Sequence, residues 1–582
     1  MKNKIELTKN IIKNFKDNKW IHYIIIIIIG ICLSIPLSQI QIRDTHDGFI
    51  HMLRLIGTWD TLEIGQFPPL INQNYCNGSG YSMNLFYPPL VTYIPLLFKL
   101  IAPTYAIAIK IYASVCIILS GITMYQFTYQ ITKKRSVALF SAIFYLIAPY
   151  KLANVYKRFA IGEFTAMIFI PLVFLGLHNL FNQDKKKHYY IAIGAIGLFL
   201  SHTLTTLYTA MFCVIYILFN LNRLKDKEII KKCIINGIFI VLICMLFWMP
   251  LFEASTQAEY SILNDAVMRT TPSYTADNTI SFLQLFKDGG EENSTTYLIG
   301  LPTIIVISLT IFVVNKVDNK YKDLYLLCII FSLISLFMCS RFFPWQIMPN
   351  FICKLQYPWR MIGYFNLFMS FVCGINMYII LKQIVKKDII KILIITIFVV
   401  ISIISSINIM SQFFTTDNTQ DEKYTAMLFE NKKISHMRIN RDYMPLKAIY
   451  LQSTYVKTRE DRTYVLKGNA EILEENKEDL KDEMKIRNAE KDTVLELPYY
   501  YYPGYKIELT TSEGVKKLKT VESEHGYLSC VLPENIEEGS IRVEYVGTLV
   551  TYISYGISIM SFVTFIGYII YERKKGELND QN

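Results

Sequence analysis

Within eleven residues the chain sets two acids, Asp44 and Asp47, beside His46, His51 and Arg54, in the run DTHDGFIHMLR (44–54). A carboxylate within reach of a hydroxyl can take its proton. A guanidinium forks onto phosphate or carboxylate oxygens. If a helix starts at Asp47, spacings of four and seven put Asp47, His51 and Arg54 on one face. Asp44, one turn earlier, would share it. The plainer alternative is that the acids cap a helix N-terminus, where Asp is common. Capping does not account for two acids together with His and Arg.

The elements that must position this cluster are membrane helices. The chain is 52% hydrophobic over 582 residues and repeats apolar runs of the length that crosses a bilayer. Its net charge of +11 does not indicate a nucleic-acid partner, because Lys and Arg collect in short loops between apolar runs. The 11 Cys form no CxxC pair and no disulfide framework. Twelve crossings are expected, at about 20–39, 105–130, 136–150, 163–181, 189–203, 205–221, 230–250, 297–315, 323–340, 361–381, 388–410 and 549–571. The piece 88–103, bracketed by prolines, reads as a juxtamembrane or re-entrant helix. Residues 1–19 hold six Lys and two acids, which places that end in the cytoplasm. The loops 133–135, 184–187, 223–232, 316–322 and 382–387 then fall inside too, and all are basic.

That topology defines a transmembrane domain over 1–410 with a first outer loop at 40–104. An extracytoplasmic β-rich domain follows over 411–548, and a last crossing and basic tail occupy 549–582. In the β-rich domain ELPYYYYPGYKIEL, SCVLPENI and SIRVEYVGTLV alternate apolar and polar residues around turn signals. Its charged middle, 471–492, is expected to be a solvated helix or linker. The outer segments or their edges hold Asp44, Asp47, His51, Arg54, Arg158, Glu163, His202, Glu253, Trp345 and Arg360. Ionisable groups gathered at membrane depth are costly unless they line a cavity, so their convergence on one face predicts an outward-facing site.

The first-loop acids followed by FYPPL (86–90) resemble the GT-C superfamily of membrane glycosyltransferases. More narrowly, KLANVYKRFAIGEF (151–164), FWMPLFE (247–253), LQYPWR (355–360) and YYYYPGY (499–505) are similar to bacterial YfhO-type membrane proteins. The resemblance implies transfer of a sugar from a polyprenyl-phosphate-linked donor to a cell-envelope polymer or lipid on the outer face of a bacterial plasma membrane. Asp44 or Asp47 would be the general base. Some relatives hold a divalent cation, Mg or Mn, at such acids, so Asp44 and Asp47 are also the metal candidates.

Arg360, at the mouth of a helix, is the candidate for the lipid phosphate; the alternative is an interfacial anchor beside Trp359. Arg158 and Glu163 either contact substrate or pair with each other structurally. His202 either caps a helix or touches the site. Tyr87, with Trp59, Tyr81 and Phe86, could stack on a sugar or prenyl chain, though aromatic belts are common at interfaces. No G-x-G-x-x-G follows a strand and there is no P-loop, which fits a lipid-linked donor. A transporter or flippase of lipid-linked saccharides is the competing reading, and would place ionisable residues at mid-helix. A non-catalytic envelope assembly factor is the third.

Overall fold

A computed structural model describes residues 18–182, 187–286, 297–411, 421, 441–450 and 459–581. The architecture is a bundle of apolar helices with a β-sandwich carried on one end. Among the described residues, seven helices are long and apolar enough to cross a membrane, and nine are if each of two bent pairs is one span. Twelve crossings were expected. The remaining three expected crossings are short or broken: Tyr190–Phe199, Thr203–Phe219, and Leu301–Ser308 continued by Thr310–Val313. Window hydropathy cannot see such breaks. One bent pair, Arg135–Leu146 and Pro149–Tyr156, turns by 47°; Pro149 opens its second half, where a missing N–H costs nothing. As the bracketing prolines predict, 88–103 yields only the ten-residue helix Leu90–Lys99.

The helices at the hub are Ile161–Asn182 and the span Pro358–Ile384, with 94% of each span's apolar window buried. Close approach there uses small residues. A Cβ on Gly176 would sit 2.3 Å from the Ile191 nitrogen of the neighbouring helix. Peripheral spans such as Asp388–Met410 are only 22% buried and present Ile, Val and Leu outward, the pattern of a lipid-facing surface.

The sandwich is antiparallel throughout. One sheet orders β1 (Tyr464–Lys467), β4 (Val494–Tyr500), β8 (Tyr527–Val531) and β7 (Val521–Glu522). The other orders β2 (Glu471–Glu478), β3 (Lys481–Ala489), β9 (Ile536–Tyr545), β5 (Tyr505–Thr511) and β6 (Gly514–Leu518). The charged stretch 471–492, expected as a helix or linker, is therefore mostly the β2–β3 hairpin. Its turn uses Asp479 in the left-handed region at φ 51°, and Glu478 pairs with Lys481. Met484 and Ile486 alternate inward to full burial, while the intervening charges face solvent.

This domain grips the first loop. Tyr500 N donates to Ser79 O at 2.9 Å, Lys477 Nζ to Gly78 O at 2.7 Å, and Tyr443 N to Tyr81 Oη at 3.2 Å. Tyr260, beyond another span, donates to Tyr501 O. First loop and sandwich thus share one end of the bundle, and two of the basic loops meet each other, Lys134 Nζ lying 3.5 Å from Asp318 Oδ2.

Candidate active site

The first-loop helix is Gly48–Glu63, and Asp47 is its N-cap residue. Its carboxylate does not cap. The Thr45 hydroxyl accepts from Gly48 N at 3.2 Å instead. The Asp47 side chain, half exposed, turns towards Arg158, with Oδ2 4.0 Å from Nη2, and accepts no hydrogen bond among the described residues. Two main-chain bonds fix it there: Asp47 N donates to Arg158 O at 2.8 Å and His46 N to Lys157 O at 3.2 Å.

Arg158 is held from three sides. Its Nη1 donates to Glu163 Oε2 at 2.8 Å and to Asn154 Oδ1. Its Cζ lies 4.7 Å over the Trp359 ring. Glu163, in the first turn of Ile161–Asn182, accepts three hydrogen bonds in all, since Tyr150 Oη and Asn154 Nδ2 both donate to its Oε1. The Arg158 and Glu163 side chains pair with each other, and the pair orients the guanidinium that faces Asp47.

Two further guanidiniums have no acid partner among the described residues. Arg54 is 1% exposed, stacks 3.8 Å from the Tyr87 ring centre and donates from Nη1 to His51 Nδ1 at 3.0 Å; its Nε is unpartnered. Because an arginine N–H can only donate, His51 Nδ1 must accept, and the imidazole proton sits on Nε2. Burial, then the charges of Arg54 and His202, hold the His51 pKa well below its ordinary value. Arg360 donates from Nη1 to Leu355 O at 2.7 Å, and its Nε is likewise unpartnered.

His202 does both things expected of it. It caps Thr203–Phe219, Nδ1 accepting from Thr205 N at 3.3 Å. It also lines, with Glu163, Thr205, Tyr208, Arg360 and Tyr364, a pocket at the helix ends. Burial pulls its pKa down to about 4, against the raising effect of Glu163 and with the lowering charges of Arg360 and Arg158. Gly162 makes the junction possible. A Cβ there would lie 2.5 Å from Tyr87 Oη and 2.9 Å from His202 Cδ2. Through it the Arg54–Tyr87 side meets the Glu163–His202 side.

Eight of the sequence-nominated residues therefore converge: Asp47, His51, Arg54, Tyr87, Arg158, Glu163, His202 and Arg360. Asp44 does not join them. It ends the turn Ile42–Asp44, faces solvent and pairs with Arg43 at 3.1 Å. Glu253 bonds Thr548 instead, and Trp345 is buried with Nε1 donating to Met338 O. Tyr81 and Phe86 pack against Tyr443, and Trp59 bonds Glu63. Sequence reasoning missed Tyr150, Asn154, Gly162 and Trp359 as the parts that set Arg158 and Tyr87; all but Trp359 lie in the 151–164 motif or next to it. The donor set does not fit a divalent cation. One first-loop carboxylate is paired with Arg43 and the other faces a guanidinium, and among the described residues no three His, Cys, Asp or Glu side chains gather.

A family model described as "6-pyruvoyl-tetrahydropterin synthase related domain; membrane protein" matches residues 85–413. That segment carries Tyr87, Arg158, Glu163, His202 and Arg360. The chain is 26% identical over 348 residues to a protein of Lactococcus lactis subsp. cremoris (strain MG1363) described as uncharacterized, covering 58% of this chain and 56% of that one. It thus spans about half the length of this curated relative. Among solved structures it is similar to the arabinofuranosyltransferase AftD from Mycobacteria, at 12% identity and TM-score 0.44, over 67% of this chain and 26% of that one. It is also similar to the Archaeoglobus fulgidus oligosaccharyltransferase, at 14% identity and TM-score 0.40, over 70% and 55%.

Proposed function

The chain belongs to this family of membrane proteins, and from that premise we propose that it is a glycosyltransferase of GT-C, YfhO-like type, moving a sugar from a polyprenyl-phosphate-linked donor to a cell-envelope polymer or lipid on the extracytoplasmic face of a bacterial plasma membrane. The observation that carries the reading is the Asp47 carboxylate, free of hydrogen bonds among the described residues and fixed by main-chain bonds 4.0 Å from Arg158, at a site that also holds two guanidiniums, Arg54 and Arg360, with no ion pair among the described residues.

Asp47, not Glu163, is the general base. The Glu163 oxygens already accept from Arg158, Tyr150 and Asn154, and its buried pairing with Arg158 makes it the poorer proton acceptor. In the transfer the acceptor oxygen bonds to the sugar's anomeric carbon as that carbon's bond to the phosphate oxygen breaks. The hydroxyl proton goes to Asp47 Oδ2, and the bonding electrons leave with the phosphate. A buried guanidinium without a counter-ion is costly. Arg54 and Arg360 therefore suit a phosphate anion, and neutral His51 keeps Arg54 donating.

The test is sugar transfer by purified protein from a panel of polyprenyl-phosphate sugars. Asp47→Asn should lower the rate by about 10²–10⁴-fold, the usual contribution of a positioned base, with Asp44→Asn within a few-fold of wild type. An active Asp47→Asn would remove this mechanism.

A further inference from the structure

On the β-sandwich end of the bundle, two irregular segments expose large apolar side chains beyond the ends of the helices. Phe282, Leu283 and Phe286 are 72%, 66% and 44% exposed, and Phe342, Ile347 and Phe351 are 73%, 78% and 58% exposed. The segments are neighbours: Ile280 pairs with Ser340 in a parallel bridge, and Ile280 N donates to Cys339 O at 3.0 Å. Each is anchored from within, the second by buried Trp345 and Cys353, so the outward side chains are a built face rather than frayed chain. Residues 278–286 carry no charged side chain, and 335–353 carry only Arg341.

We propose that this face is seated in the membrane leaflet on the sandwich side, as a wedge next to the pocket mouth. The occupant is argued from continuity. The helix Asn319–Cys339 carries lipid-facing Leu333 and Phe337 up to its last turn. Phe337 then meets Phe343 at 5.4 Å, so the apolar strip runs from the span onto the link without a polar gap. Arg341, exposed, lies 5.5 Å from the Phe342 ring, with its guanidinium free to reach headgroup phosphates while its stem stays apolar. A predominantly apolar surface with Arg341 on it and the Lys354–Asp265 pair at its edge fits a lipid leaflet and its headgroups better than a charged polymer. The same link continues into Leu355 and Arg360 of the pocket, so seating it in lipid fixes the height of Arg360 relative to the headgroups.

Photo-crosslinking tests this without reference to catalysis. Benzoylphenylalanine replaces Phe282, Phe342 or Phe351 in the full chain, in native membranes, and adducts are read by mass spectrometry. Ile403, exposed on a spanning helix, is the positive control, and Lys517 on β6 the negative one. Lipid adducts at the three positions approaching the yield at Ile403, and at least ten-fold above Lys517, are expected. Yields no higher than at Lys517 would overturn the proposal. So would adducts to protein in place of lipid, which would make the face a contact between chains.

Discussion

At the scale of single residues, the ion pair and the base separate cleanly. Glu163→Gln strips Arg158 of its counter-charge inside the bundle, and breaking a buried pair costs about 3–5 kcal/mol. Purified Glu163→Gln should unfold at clearly lower temperature than wild type. The double variant Arg158→Met with Glu163→Leu should recover much of that stability while staying inactive; recovered transfer would show that Arg158 only fills space. His202 gives a pH signature. Its folded pKa of about 4 lies below the ordinary 6.5, so the unfolded chain binds more protons in between, and stability must fall on acidification from about pH 6.5 towards 4. His202→Asn keeps a capping side chain and should flatten that slope in thermal unfolding scans. Much of this was legible beforehand. Spacings of four and seven placed His51 and Arg54 with Asp47, and Arg158 lies five residues before Glu163. What three residues of separation could not reveal was that Asp44 and Asp47 part company, because a turn ends at Asp44 and Thr45 takes over the cap.

Elements decide how those residues meet. The kink before Pro149 swings Pro149–Tyr156 so that Tyr150 and Asn154 reach Glu163, and no periodicity in the sequence announces where a bent helix will point. Gly162 sets the closest contact in the site. Gly162→Ala should push Tyr87 or His202 aside and cut transfer, and Gly162→Ala with Tyr87→Phe, which removes the clashing hydroxyl, should recover part of it. Additive losses in that double-mutant cycle would mean the two do not share the space. The hairpin of β2 and β3 was misread because dense charge resembles a solvated linker. Its alternation was present, but only every second residue of β3 up to Ile486 faces inward.

For the molecule as a whole, the apolar runs of the sequence revealed a membrane bundle. Nine of the twelve expected spans are full-length among the described residues, and the other three fall on short or broken helices, which carry the same composition as full ones. How the sandwich seats on the first loop could not be read, since its contacts are main-chain oxygens of Gly78 and Ser79. Lys477→Met should loosen that seat: amide exchange at 76–81 should accelerate in the variant, while unchanged exchange would assign the grip to the tyrosines alone. The sandwich is also an insertion, entered from Asp388–Met410 and left through Leu549–Gln581. A module moored at both ends loses most of its degrees of freedom. Its tyrosines also share one buried apolar core with Tyr75 and Tyr81 of the first loop, so the sandwich stands as a fixed wall beside the loop that carries Asp47.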